Sequence, residues 1–238
     1  MGKKIKISVI ILSGGDIIQK NYKKCLTSVG TFDEIIKIDT SKLKGSFSEW
    51  RNEGDRKSTG DWIFYVDSDE EVTNEVKEEI KTVVEDNNQK NAAFAIPRRN
   101  FIFGKEFKHG GQWPDYQVRL FKKEAFIKWE GNLHEQPKYK DELGYLKNPL
   151  IHHKDITVGQ MIDKTNIWSE IEADLLFQSN HPKMNGFRFA SVAIREFWLR
   201  FVKQLSFLDG REGIIYGIYQ IYSKLITYSK LWERQLKA

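Results

Sequence analysis

The sequence has a single cysteine, Cys25, among its 238 residues. One thiol excludes an intramolecular disulfide and any zinc site built on several cysteines. Cys25 reads instead as a buried or half-buried helix residue of a cytoplasmic protein. Long apolar runs are missing as well: no stretch reaches the roughly 18 residues that a membrane span needs. Met1-Gly2-Lys3-Lys4-Ile5-Lys6 runs straight into a strand pattern, so no signal peptide is expected. Gly2 is not followed by the Ser or Thr that a myristoylation signal requires. Internal repeats, low-complexity tracts and linker-like segments are lacking too. The length suits one α/β domain with a helical extension and a substantial core. A net charge of +5 and a pI near 9.0 agree with an anionic partner surface, without choosing membrane over nucleic acid.

What is present is a series of short apolar runs separated by helical patterns. Ile7–Leu12 reads as a buried strand followed by the turn Ser13-Gly14-Gly15-Asp16, and Ile17–Val29 as a helix. Glu34–Ile38 is a second strand ending on Asp39. A helix over about Ser46–Ser58 leads into the third strand, Trp62–Val66. Strand, helix, strand, helix, strand is the signature of a parallel sheet with right-handed crossovers. Further strands are expected at Ala93–Ile96, closed by Pro97-Arg98-Arg99-Asn100, and at Phe101–Phe103 and Val118–Phe121.

Asp67-Ser68-Asp69 stand where the third strand runs out, with Glu70 and Glu71 behind them. Crowding acids costs electrostatic energy unless a cation or a strongly solvated site offsets it. Carboxylates at this spacing suit Mg²⁺ or Mn²⁺, which keep waters and take phosphate oxygens as further ligands. Ligands of open α/β sheets bind beyond the carboxyl ends of the strands, where both this pair and Asp39 lie. The plainer alternative is a solvated loop in front of the helix over Thr73–Glu85, since acids favour a first turn. Asp39 fits a ribose or base contact and, equally, an ordinary turn.

The segments in this order resemble a family 2 glycosyltransferase of the GT-A fold, in the branch that adds hexoses to lipopolysaccharide or lipooligosaccharide cores by β-1,4-glucosyl transfer. The resemblance rests on Ile7–Leu12, Asp33–Asp39, Arg51-Asn52-Glu53-Gly54, Gly60-Asp61-Trp62, Asp67-Ser68-Asp69-Glu70, Gly110–Asp115, Arg119-Leu120-Phe121 and His134-Glu135. It continues in Phe207-Leu208-Asp209-Gly210 and Lys230-Leu231-Trp232-Glu233. Ser13–Asp16 stand where members usually carry an Asn-Glu pair, and the loop after Asp39 is short.

The resemblance implies an α/β GT-A domain over residues 1–155, Rossmann-like and mostly parallel, and a helical, basic, membrane-associating extension over 156–238. It also implies an inverting, metal-dependent hexosyl transfer from a nucleotide sugar, UDP-linked, to a saccharide or lipid-linked saccharide at the inner face of the cell membrane. Asp39, Arg51, Asp67, Ser68 and Asp69 would bind the donor. Asp69 and Asp67, with His153, would hold Mn²⁺ or Mg²⁺, although His152 and His153 read as readily as surface residues at a strand end. Gly111, Trp113, Asp115 and His134 would face the acceptor, Trp113 being as readily a core residue. Glu135 is the favoured base, because it falls where the second acidic motif belongs, with Asp115 as its rival. Arg98, Arg99 and Arg119 could neutralise diphosphate or be solvated.

From Val158 the pattern is helical, first to Phe177. Phe187–Leu205 and Gly213–Leu236 interleave aromatic and aliphatic residues with Arg and Lys. Such helices can lie in the interface of an anionic membrane, or pack on a domain with their basic residues solvated. Two other classes share some features. A metal-dependent nucleotidyltransferase would need a basic phosphate loop after the first strand, and Ser13–Asp16 has no basic residue. A non-catalytic membrane or nucleic-acid binder leaves the carboxylates without purpose.

Overall fold

A computed structural model describes residues 4–14, 19–42, 44–86, 88–131, 135–155 and 157–237; the side chains of residues 19, 20, 42 and 155 are also outside the description. His134 and the Gly15-Asp16 half of the first turn therefore lie outside the described residues.

The elements in chain order are β1 (Ile7–Ser13), α1 (Gln19–Val29), β2 (Glu34–Asp39), α2 (Phe47–Lys57), β3 (Trp62–Asp67), β4 (Glu70–Glu71), α3 (Asn74–Glu85), β5 (Asn91–Ile102), β6 (Lys105–Glu106) and β7 (Asp115–Lys122). They continue with β8 (Phe126–Glu130), β9 (Gln136–Tyr139), β10 (Glu142–Tyr145), β11 (Leu150–Asp155), α4 (Val158–Gln178), α5 (Gly186–Phe197) and α6 (Gly210–Lys237). The chain divides into a unit of Met1–Arg99 with Pro114–His153 and a unit of Asn100–Trp113 with Lys154–Ala238.

In the first unit β2, β1 and β3 pair in parallel, with Ser13 opposite Asp39 and Leu12 opposite Asp67. Beyond β3 the sheet turns antiparallel through β7 and β5. The main path of the nine-stranded sheet is β2-β1-β3-β7-β5-β11-β4, with β6 and β10 each paired to β5 off that path. Strand alternation explains why both faces are apolar. Ile7, Val9 and Ile11 with Trp62, Phe64 and Val66 pack with Cys25 and Val29 of α1 and Val76 and Ile80 of α3. Ile10 and Leu12 with Ile63 and Tyr65 form a second core with Phe121, Phe126 and Trp129. Helix α2 lies so close to β1 that a Cβ on Gly54 would fall 2.3 Å from Ile10 Cγ2. Its start is fixed by a capping box, in which Glu49 Oε2 accepts from Ser46 N at 2.7 Å.

Two expectations change here. Pro97 does not end a strand: β5 runs on to Ile102, with Pro97 opposite Tyr116. The ladder is already irregular at the register shift between Phe94 and Ala95, and such places tolerate proline. The β8–β9 hairpin was not foreseen at all.

In the second unit, Ile102, Phe107, Met161 and Tyr216 form one core and Ala173, Met184 and Leu231 another. Three basic residues of α6 face acids of α4: Lys224 pairs with Glu172 (3.2 Å), Lys230 with Glu170 (3.0 Å) and Arg234 with Asp174 (2.5 Å). After α5 the chain makes a π turn over Trp198–Lys203 and a 3₁₀ turn over Ser206–Asp209. Among the described residues no helix is long and apolar enough to cross a membrane.

Candidate active site

The carboxyl ends of the parallel strands carry the charge. Ser13, Asp39 and Asp67 end β1, β2 and β3 side by side, so Asp39 and Asp67 lie two strand spacings apart, about 10 Å. Asp39 Oδ1 accepts from Ser41 N and Ser41 Oγ, at 3.1 and 2.6 Å, which shapes the turn after β2. Ser68 sits in the turn that follows Asp67.

Asp67 is held by arginine on both oxygens. Its Oδ1 accepts from Arg51 Nη2 at 2.7 Å, and its Oδ2 accepts from Arg119 Nη2. Glu70, with 0% of its surface exposed, takes Arg98 Nη1 and Arg119 Nη2 at 3.1 Å each and accepts from Asp67 N at 2.9 Å. Arg51 continues the web: its Nε donates to Glu135 Oε1 at 3.2 Å, and its guanidinium lies 4.9 Å from the Trp129 ring centroid. Arg98 Nε and Nη2 donate to Asp115 Oδ2 at 3.0 and 2.7 Å, and Gln117 Nε2 donates to Oδ1 at 2.8 Å.

Among the described residues, then, four acids (Asp67, Glu70, Asp115, Glu135) share three arginines (Arg51, Arg98, Arg119), and the web keeps a net negative charge. Burial alone would push the Asp67 carboxyl up, but Arg119, Arg51 and Arg98 outweigh it and hold the group well below the usual carboxylate range. Burial would likewise lower Arg119, and Asp67 and Glu70 raise it instead. The field of the cluster reaches Cys25, whose buried thiol donates to Asp67 O at 3.4 Å. Burial first, then Glu70 and Asp67, push that thiol up, so it is an inert core residue. Arg51 Nη1 and Arg119 Nε are buried without a partner among the described residues, and an anionic ligand or a water would relieve that cost of about 1–3 kcal/mol each.

Three residues of the motif Arg51-Asn52-Glu53-Gly54 have structural roles here, while Glu53 pairs with Arg56 and Lys57 of its own helix. Arg51 bridges the two acidic motifs. Asn52 clamps β8, its Oδ1 accepting from Trp129 N at 2.8 Å and its Nδ2 donating to Trp129 O at 2.9 Å. Gly54 permits the close approach of α2 to the sheet. Glu70, Trp129 and Asn52 had no assigned role in the sequence reading. The signal for Glu70 was its place directly behind Asp69.

Asp69 is the most exposed acid of the group. Its Oδ2 lies 3.5 Å from His152 Nε2, while His153 Nε2 meets Glu71 instead. The histidine brought to Asp69 is thus His152, not the expected His153. The strand pleat turns His152 and His153 to opposite faces of β11, which pairs His152 with Glu70 and Ile151 with Glu71. No group of three His, Cys, Asp or Glu residues converges as a ready cation cage among the described residues. One carboxylate and one imidazole nonetheless fit a divalent cation that draws its other ligands from phosphate oxygens and water. Asp67, with both oxygens committed, fits a charge-ordering role better than direct ligation.

The residues expected to face the acceptor divide between the units. Asp115 opens β7 in the first unit rather than lying on the glycine loop. Gly111 and Trp113 belong to the second unit, where the glycine pair serves an internal packing. Gly110 N donates to Gln204 O at 2.8 Å, and a Cβ on Gly111, whose φ is +75°, would fall 2.5 Å from Gln204 Nε2. Trp113 is exposed.

The sequence profile of glycosyl transferase family 2 matches residues 7–166. The chain belongs to glycosyl transferase family 2. Its α/β architecture, with helices on both sheet faces and a helical C-terminal extension, is of the GT-A class. The chain is 26% identical over 190 residues to an uncharacterized glycosyltransferase of Rickettsia typhi, covering 75% of this chain and 64% of that one. It is 25% identical over 190 residues to an uncharacterized glycosyltransferase of Rickettsia prowazekii, with the same shares covered. It therefore spans somewhat less than two thirds of these relatives. Among solved structures, S. aureus TarS in complex with UDP-GlcNAc aligns over 96% of this chain and 90% of that chain, at 11% identity and a TM-score of 0.45.

Proposed function

We propose that the protein transfers a hexose, with inversion, from a UDP-linked nucleotide sugar to a hydroxyl of a saccharide acceptor in a cell-envelope glycolipid such as a lipopolysaccharide core. The observation that carries this reading is the carboxylate–guanidinium web at the carboxyl ends of β1 and β3, in a chain of this family. Inverting transfer needs a carboxylate that takes the acceptor proton while the diphosphate leaves. Glu135 suits that role better than Asp115, whose oxygens already accept three N–H donors from Arg98 and Gln117. Arg51 holds Glu135 and Asp67 in one frame. In this reading Asp39 would contact the nucleoside and Asp69 the diphosphate. A bound Mn²⁺ or Mg²⁺ would neutralise the leaving diphosphate, and Asp69 and His152 are the residues that would hold it. The attachment that such an acceptor requires would be peripheral, on the inner face of the cell membrane.

A panel of nucleotide sugars with Mn²⁺ or Mg²⁺, scored for nucleoside diphosphate release, tests this. One UDP-sugar should be turned over in the presence of a saccharide acceptor. Glu135→Gln should bind that donor normally and transfer on the order of 10²–10⁴-fold more slowly. Normal turnover by Glu135→Gln alongside a dead Asp115→Asn would move the base to Asp115, and no release from any donor would sink the reading.

A further inference from the structure

The segment between Gly186 and Arg211 differs from the rest of the helical tail. Its inner side packs inward through Val192 and Glu196, and Gly217 of α6 lies against the Phe201 ring. Its outer side is apolar and uncovered: Phe187 is 82% exposed, Ile194 68%, Trp198 53% and Val202 52%. Phe187, Ile194 and Trp198 recur at helical spacing and line an open groove of about 550 Å³ with Ala190, Ser191 and Arg195. The charges on this segment are sorted just as sharply. Both of its acids are buried: Glu196 pairs with Arg200 at 3.3 Å and more loosely with the exposed Arg195 at 3.8 Å, and Asp209 accepts from the backbone of Lys108 and His109. Its exposed charges, Arg188, Arg195, Lys203 and Arg211, are all positive. The segment also leaves ordinary helix geometry, with the π turn over Trp198–Lys203 and Leu205 at φ +52°. Non-glycine residues adopt that conformation at a cost, and π turns recur at functional positions.

We infer that Phe187–Arg211 is the element that enters an anionic membrane surface, with Phe187, Ile194, Trp198 and Val202 below the headgroups and Arg188, Arg195, Lys203 and Arg211 among their phosphates. An amphipathic segment with this division of faces beds about 5–10 Å into the headgroup–acyl boundary, and each basic residue near anionic lipid adds to the attraction. Charge selects this occupant over a second copy of the chain. A self-paired face would set four cations against the same four, with no exposed acid between them. Beyond Arg211, helix α6 is not part of the element, because Lys224, Lys230 and Arg234 are neutralised by α4. The purpose of the attachment rests on the proposed glycolipid acceptor; the attachment itself does not.

Vesicle sedimentation and brominated-lipid quenching of tryptophan test it. The intact chain should pellet with vesicles containing phosphatidylglycerol and not with pure phosphatidylcholine, and less so in high salt. Phe187→Ser with Trp198→Ser should lower the partition coefficient by about tenfold or more, with unchanged thermal melting, since both side chains face outward. Trp198→Phe should still bind but lose most of the bromine quenching. A protein that ignores anionic vesicles, or a double variant that binds them as well as the intact chain, overturns the inference. So does a dimer in sedimentation velocity that the double variant dissolves, which would give the face to a second copy. Donor-dependent nucleoside diphosphate release without vesicles should be unaltered in the double variant. Its absence in the intact chain would count against the transferase reading and leave the vesicle result standing.

Discussion

The carboxylate web of the first unit and the α5 segment of the second use the same residue types in opposite ways. Arg51 is 5% exposed at its side chain, lies against Trp129 and is shared by Asp67 and Glu135. Arg195 is exposed beside Trp198, and the acid next to it, Glu196, is buried. In the web every cation has an acid within reach and one acid is left over, which makes a place for something positive or for a strongly hydrogen-bonding ligand. On the α5 face the acids are withdrawn and the cations left over, which makes a place for something negative and apolar. Net charge cannot tell these apart, because the +5 of the whole chain is a sum over both. What decides each case is how much water is left around the pair: Arg195 lies 3.8 Å from Glu196, but its side chain is 61% exposed, against 5% for Arg51.

The largest effect expected from breaking this contrast comes from Asp67. Asp67→Leu leaves Arg51 and Arg119 buried without their shared partner, a loss of about 3–5 kcal/mol of unfolding free energy. Urea denaturation at pH 7 measures it. Because the Asp67 carboxyl is held below its ordinary range, its contribution is fully present above the unfolded-state pKa of about 4 and drains away as the pH falls below it. Glu34, lowered to about 2, drains in the same direction: burial opposes that shift, and Ser8 and Thr59 outweigh it with hydrogen bonds. The gap between Asp67→Leu and the intact protein should therefore narrow between about pH 4 and pH 2. A gap that widened there would show that the web is not ionised as described.

The elements that proved legible in the sequence are those whose signal is local. The runs Ile7–Leu12 and Trp62–Val66 are apolar on both faces because α1, α2 and α3 cover both, and such strands announce themselves without knowledge of their partners. The acids at the strand ends followed from the same reading. What stayed hidden depends on partners far away in the chain. Arg51 and Trp129 are brought together by α2 packing on β8, and no spacing rule links them. His152 and His153 differ only in which face of β11 they occupy, and a one-residue change of register swaps their roles. The basic residues of the tail looked alike until the α4–α6 pairing removed Lys224, Lys230 and Arg234 from the exposed set.

The smallest effect expected is at such a pair. Lys224→Ala breaks a half-exposed contact with Glu172 and should cost under about 1 kcal/mol, with no loss of vesicle binding. Arg195→Gln should weaken vesicle binding clearly while leaving stability unchanged. Equal losses of vesicle binding from the two substitutions would break the distinction drawn between α5 and α6.

The central claim is that the acid cluster exists to receive a metal-bound diphosphate, and Asp69 is the residue that isolates it. It is the most exposed acid of the group, it faces His152, and it carries none of the web's arginine pairs. Calorimetric titration of the donor identified by nucleoside diphosphate release, with and without Mn²⁺, is the direct test. The intact protein should bind the donor far more tightly with Mn²⁺. Asp69→Asn should lose that dependence and at least about tenfold in affinity with an unchanged circular dichroism spectrum. Unaltered Mn²⁺-dependent binding by Asp69→Asn, or equal binding by the intact protein with and without the cation, would contradict the account.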